Sequence, residues 1–306
     1  MGNPNSGKTT FSLKLAKELS KKKKNVILIL ADFNTPTLSV VMPQIDAGEK
    51  SLGALLSAPL ITQENILKNC ILAKKNEHLS VISYLHGENE RTYAKYSKER
   101  VVDFFILLKH IADYVIIDCS SNISHDILSK SALELSDKVI RLITSDLRAV
   151  SFYASTLPQL AQRKYNLQNH IQVLSNIKEN MPKDYVANRF GGMSLELPHT
   201  EEIENQYIEA RLLETLSQKK SQKYLQSLNE IVDIIYGEDD VNAESVASDT
   251  NNSHKSRKSI FKSTCRAKSS AGYAKKFPRN VLSFLNQLAG EALAKLKNLT
   301  TKRGAK

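Results

Sequence analysis

Apolar positions along the chain follow two alternating rhythms. Val26–Leu30 is a short unbroken apolar run, and similar runs recur at 79–84, 114–117, 139–143 and 171–174. A run this short, without polar alternation, predicts a strand buried on both faces. Between the runs, residues 9–22, 62–74, 98–112, 124–136, 149–163 and 201–215 space their apolar side chains as helices do. In the first of these, Phe11, Leu15 and Leu19 recur every four residues, with Lys14, Lys17 and Glu18 off the stripe. Strand alternating with helix predicts an α/β fold, a mostly parallel sheet flanked by helices. A closing helix is expected over 217–235, so one domain should occupy 1–236.

Beyond Gly237 this rhythm stops. Residues 237–277 are rich in Ser, Asn, Asp and Lys and predict a flexible linker. In 278–300, opened by Pro278, Val281, Leu285, Leu288, Ala292, Leu296 and Leu299 share one helical face, widened by Leu282, Ala289 and Leu293. That is the pattern of an amphipathic helix, followed by a basic end at 301–306.

Charge sharpens the division. The net charge of +11 sits in the tail: residues 251–306 hold 14 Lys and Arg against one acid, Glu291. The first 250 residues are close to neutral, with 29 bases and 31 acids. A basic tail is either a solvated, solubilising segment or a contact for an anionic partner. Residues 279–299 could lie on an anionic membrane surface, dock into a protein partner's groove, or fold back on the body. Non-specific DNA binding through phosphates is a further reading, without any recognition motif behind it.

At 306 residues and 41% hydrophobic content, a packed core is within reach. Cys70, Cys119 and Cys265 are too few and too scattered for a disulfide scaffold or a Cys-rich zinc module, so a reducing, cytoplasmic setting is expected. The seven histidines show no i, i+4 pair and no cysteine at ligand spacing. No apolar run approaches the roughly 18 residues that span a membrane, which leaves only peripheral association through the tail. Cys119 reads as a small buried residue. Arg91, Thr92, Tyr93 and Tyr96 read as a surface loop or a partner contact.

The chemistry lies at the start. Gly2, Asn3, Pro4, Asn5, Ser6, Gly7, Lys8 and Thr9 fit the phosphate-binding pattern G-x-x-x-x-G-K-[ST], with Thr10 next in the following helix. Such a loop turns consecutive N–H groups inward around a triphosphate, and its glycines allow close approach. Lys8 is expected to neutralise phosphate charge, the Thr9 hydroxyl to ligate Mg²⁺, and the helix to offer its positive end. A strand normally precedes this loop, yet only Met1 stands before Gly2. The first strand therefore reads as missing, through a misplaced start or a truncation, and the loop should lack its anchor. The second half of a nucleotide site is an acid ending a buried strand. Asp118, after Tyr114, Val115, Ile116 and Ile117, supplies it, and Asp32, after the run at 26–30, supplies a third position. Asp32 can also be read as a local cap.

In this order, these positions resemble the ParA/MinD family of P-loop ATPases across residues 1–236. The resemblance extends to Pro36, to the strand entered at 137–140, to Leu174-Ser175-Asn176, and to the Leu195–Pro198 stretch ahead of a helix. Within the family, the CpaE-like branch of pilus assembly and secretion is the nearest in character. The resemblance implies ATP and Mg²⁺, with Thr9, Asp32 and Asp118 at the metal and Asn176 and Pro198 near the adenine. It implies a catalytic set of Lys8, Asp32, Asn34 and Asp118, a protein partner and a homodimer.

Two positions depart from the family pattern. Asn3 stands where a signature Lys would reach a dimer partner's nucleotide. Asn34 stands where a second Asp would help position the attacking water; it can hydrogen-bond water but cannot take its proton. ATP binding with slow or partner-dependent hydrolysis is the expected activity. The competing reading is a non-catalytic scaffold that recruits partners through its tail.

Overall fold

The computed structural model describes residues 1–43, 45–74, 76–193 and 195–247. The predicted linker beyond 247, the amphipathic segment 278–300 and the end 301–306 lie outside the described residues. In chain order the elements are α1 (Lys8–Lys21), β1 (Val26–Leu30), α2 (Leu38–Val41), α3 (Leu52–Ser57) and α4 (Gln63–Asn69). Then follow β2 (Ile71–Ala73), β3 (Asn76–Ser83), α5 (Lys98–Lys109), β4 (Tyr114–Asp118), α6 (Ile127–Leu135) and β5 (Val139–Thr144). The chain continues through α7 (Leu147–Leu160), β6 (His170–Ile177), α8 (Lys183–Arg189), β7 (Leu195–Pro198), α9 (Glu201–Ile208) and α10 (Gln222–Ala247).

The strands form two pieces, ordered β2-β3-β1-β4 and β5-β6-β7. Every pairing except β2 with β3 is parallel. All five residues of β1 are buried, as its unbroken apolar run demands. The helices begin on side chains suited to the task. Ser51, Thr62, Ser97, Asp126, Asp146 and Thr200 each accept a hydrogen bond from a first-turn N–H.

Between the two pieces stands the start of the chain. The Met1 ammonium donates to Ile140 O at 2.8 Å, Leu142 N donates to Met1 O at 2.9 Å, and Gly2 bridges Leu142 in parallel. Met1 packs against three apolar clusters of the body. Burial lowers the pKa of its ammonium.

Several sequence expectations shift. Residues 70–74 leave the helix expected over 62–74: α4 ends at Asn69, and Ile71–Ala73 adds an antiparallel edge strand. The helix expected over 201–215 stops at Ile208, where Ala210 takes a positive φ of 52°. The closing helix runs on to Ala247, past the expected linker start at 237. Residues 1–232 form one compact unit; the second begins at Asp233. Tyr93 and Tyr96 serve local packing, Tyr93 donating to Glu88 at 2.7 Å and Tyr96 lying 3.0 Å from the Tyr84 hydroxyl.

Candidate nucleotide site

The loop at 2–9 closes on itself before α1 begins. Asn5 (φ 62°) and Gly7 (φ 78°) both lie in the left-handed region, which turns the chain sharply into the helix. A β-carbon on Gly2 would stand 2.8 Å from Leu142 O, so only glycine lets the loop lie this close to β5.

Side chains fasten the loop. Ser121 Oγ donates to Gly2 O at 3.2 Å, and Ser175 Oγ donates to Ser6 O at 2.7 Å. Asn3 is turned inward and buried. Its amide nitrogen donates to Thr144 Oγ1 at 2.9 Å, and its oxygen accepts from Thr144 N at 3.2 Å. The loop is therefore held from the ends of β4, β5 and β6, contrary to the expectation that it lacks an anchor. Asn3 spends its polar groups inside the body, unlike a side chain that reaches across to a second molecule.

Lys8 and Thr9 meet the end of β4. Lys8 Nζ donates to Ser121 Oγ at 2.6 Å, and Thr9 Oγ1 donates to Asp118 Oδ2 at 2.5 Å. Asp118 is buried, and its Oδ1 has no hydrogen-bond partner among the described residues. Burial pushes the Asp118 pKa up, opposed by the Thr9 hydrogen bond and by Lys8, while Asp32 pushes it further up. Burial likewise lowers the Lys8 pKa against the pull of Asp118 and Asp32. A buried carboxylate oxygen without a partner, beside a threonine hydroxyl, is a donor set that suits a hydrated divalent cation.

Asp32 lies two residues beyond β1, beside this group. Ala31 N donates to Asp118 O at 3.0 Å, tying the two strand ends together. Asp32 Oδ1 accepts from Asn34 N at 3.0 Å and Thr35 N at 3.3 Å, so it also caps a local turn. The Asn34 side chain is exposed. Cys119 is buried, and burial pushes its thiol up to about 11.

A third segment completes the rim. Asn176 follows Ser175, which holds the loop, and falls between the Ser175–Leu197 and Ile177–Pro198 pairs of β6 and β7. Its backbone is left-handed, with φ 55°. His199 Nδ1 lies 2.8 Å from Asn176 Oδ1. The sequence reading missed Ser121, Thr144, Ser175 and His199. Serine and threonine at strand ends carry no motif of their own, and only the fold brings them to the loop.

A glycine-turned loop opening a helix, with an acid at the end of a neighbouring parallel strand, defines an α/β P-loop nucleotide-binding protein. Residues 5–176, more than half of the chain, match the family model described as an AAA domain. The chain belongs to this family, and its fold is that of the ParA/MinD P-loop ATPases. A plasmid partition protein of Borrelia burgdorferi, solved with AMPPNP, is 20% identical, with a TM-score of 0.55 over 75% of this chain and 94% of its own. The septum site-determining protein MinD of Pyrococcus horikoshii, complexed with Mg-ADP, is 16% identical, with a TM-score of 0.59 over 75% and 92%. A chain of the MinC:MinD cell division protein complex of Aquifex aeolicus is 14% identical, with a TM-score of 0.60 over 76% and 94%. No curated protein matches the chain.

Proposed function

We propose that this chain binds ATP with Mg²⁺ and acts as a nucleotide switch whose own hydrolysis is slow. The observation that carries the reading is the Thr9–Asp118 contact at 2.5 Å beside the unpartnered Asp118 Oδ1, on a loop built for phosphate. The N–H groups of Asn5 to Thr10 would line the phosphates, and Lys8 would leave Ser121 to neutralise them. Thr9, Asp32 and Asp118 would hold Mg²⁺ and its waters, and the ion would supply charge neutralisation at the phosphates. Asn176 and Pro198 would border the base. Among the relatives, AMPPNP and Mg-ADP occupy the solved proteins named above, which supports this ligand class.

Asn34 can orient a water but accepts no proton, which favours slow turnover that depends on a partner. Nucleotide would order the turn at Asp32 against Asp118 and so change affinity for a protein partner. Partitioning, cellular positioning, or pilus and secretion assembly would follow from which partner that is. The basic tail is a second contact, for a protein, an anionic membrane or DNA.

A non-catalytic scaffold is the second reading, favoured by the inward-turned Asn3 and by Asn34. The two separate in a titration with a fluorescent ATP analogue, with Mg²⁺ and then with excess chelator. The switch reading expects Mg-dependent binding that Thr9→Val weakens at least tenfold, a loss of about 1.4 kcal/mol. Binding that is absent, or indifferent to both chelator and Thr9→Val, would leave the scaffold.

A further inference from the structure

Beside the phosphate loop, three side chains form a chain that the phosphate chemistry does not use. His199 follows β7. Its Nδ1 lies 2.8 Å from Asn176 Oδ1, and its Nε2 lies 3.3 Å from Glu204 Oε2 on α9. The ring's place is fixed from the backbone, since His199 N donates to Ile177 O at 2.9 Å.

The register explains why Asn176 stands out. Ser175 pairs with Leu197 and Ile177 with Pro198, which leaves Asn176 as an extra residue, a bulge with φ 55°. Bulges re-aim a side chain and often border active sites. The side chain one residue back, Ser175, holds the loop. Asn176 thus stands at the carboxyl end of a parallel strand next to the phosphate site, where open α/β sheets bind their ligands.

We infer that His199, backed by Glu204, is a positioning residue that fixes which end of the Asn176 carboxamide meets the base and so sets base selectivity. This rests on the nucleotide reading above. A carboxamide has an oxygen that only accepts and a nitrogen that only donates. Left free, it can flip to suit an amino group or a carbonyl on the base. Held by the ring, it offers one fixed pattern. Glu204 can only accept, so it favours a proton on Nε2. Nδ1 is then an acceptor, which is satisfied by the carboxamide turned with its nitrogen to the ring, the two ends occupying equivalent positions. The oxygen is left to accept from an amino group on the base.

The test compares affinities for Mg·ATP and Mg·ITP, whose bases carry an amino group and a carbonyl at the same position. The full chain is measured beside His199→Leu, His199→Asn and Glu204→Gln, with thermal melts without nucleotide to confirm folding. The wild type is expected to prefer ATP. His199→Leu should keep phosphate binding while its ATP-to-ITP preference falls roughly tenfold, the scale of one misplaced hydrogen bond. His199→Asn, which returns a polar atom near Nδ1, should recover most of the preference, and Glu204→Gln should be intermediate. An unchanged ratio in His199→Leu, an equal loss of both nucleotides, or a wild type without preference would overturn the inference and leave the nucleotide reading standing. A wild type that binds neither nucleotide would overturn both.

Discussion

Asp118 is a buried carboxyl group pulled in opposite directions by its surroundings. It accepts from Thr9 and leaves its other oxygen without a partner among the described residues. Its folded pKa lies above the ordinary carboxylate value, so the folded state holds its proton more tightly than the unfolded state. Stability contributed by that proton is present below the unfolded value, near pH ~4, and is lost as pH rises through the folded one. Asp118→Asn should therefore raise stability without nucleotide at neutral pH, on the order of 1 kcal/mol in urea, while abolishing Mg-dependent nucleotide binding. The gain should shrink toward pH ~4, where wild-type Asp118 is itself protonated. A variant as stable as wild type at every pH would count against a strained carboxylate. Asn34 is the counterpart on the rate side. Asn34→Asp should speed hydrolysis about a hundredfold over wild type in a phosphate-release assay, the lower range of a positioned base. The loop and Asp118 were legible in the sequence because spacing marks them: G-x-x-x-x-G-K-[ST], and an acid closing an apolar run; Asn34 entered only through the resemblance to the family. His199 and the three hydroxyls on the loop were not, because their roles depend on strands far apart in the chain.

Helix α1 is held at its start by the phosphate loop and along its length by a clamp on the end of α9 and the segment after it. Lys14 is buried on its inner side, and its Nζ donates to Gln206 Oε1 at 2.5 Å, Leu212 O at 2.7 Å and Glu214 O at 2.9 Å. Lys17 donates to Leu213 O at 2.6 Å. Burial lowers the Lys14 pKa to about 8, so between pH ~8 and ~10.5 the unfolded chain holds a proton that the folded one has shed. Stability carried by this group should rise with pH across that window, and Lys14→Met should remove the rise. The variant should also lose about 1–3 kcal/mol at pH 7, because it strands buried carbonyls, as read by denaturant midpoints. The sequence placed Lys14 off the apolar stripe, and periodicity cannot see that a distant loop will cover it. Boundaries failed for a similar reason. Residues 71–73 have no strand pattern of their own length; β3 recruits them by pairing at the sheet edge. The buried strands, by contrast, announced themselves by composition alone.

In the body as a whole, the sheet's two pieces meet through the first residues and the loop. Met1 and Gly2 lie along β5, Ser121 reaches the loop from beyond β4, and Ser175 reaches it from β6. A ligand seated in the loop would touch groups fastened to both pieces, and binding to the folded state alone stabilises it by mass action. Mg·ATP at about a hundred times its dissociation constant should add about 2.7 kcal/mol, seen as one cooperative melt at a higher Tm. Two separate transitions would show that the loop does not unite the pieces. The alternation of runs and stripes was enough to give the α/β class, and the fold matches the ParA/MinD ATPases despite identities of 14–20%. The division into two sheet pieces needed the register between β4, β5 and the first two residues, which no local pattern encodes.

The central claim is that the loop at 2–9 binds nucleotide through Lys8. Calorimetry of Mg·ATP with the full chain beside Lys8→Ala tests it most directly. The account predicts saturable one-site binding, of roughly micromolar affinity, that Lys8→Ala weakens at least a hundredfold. Equal binding by both proteins, or heat from neither, would contradict it.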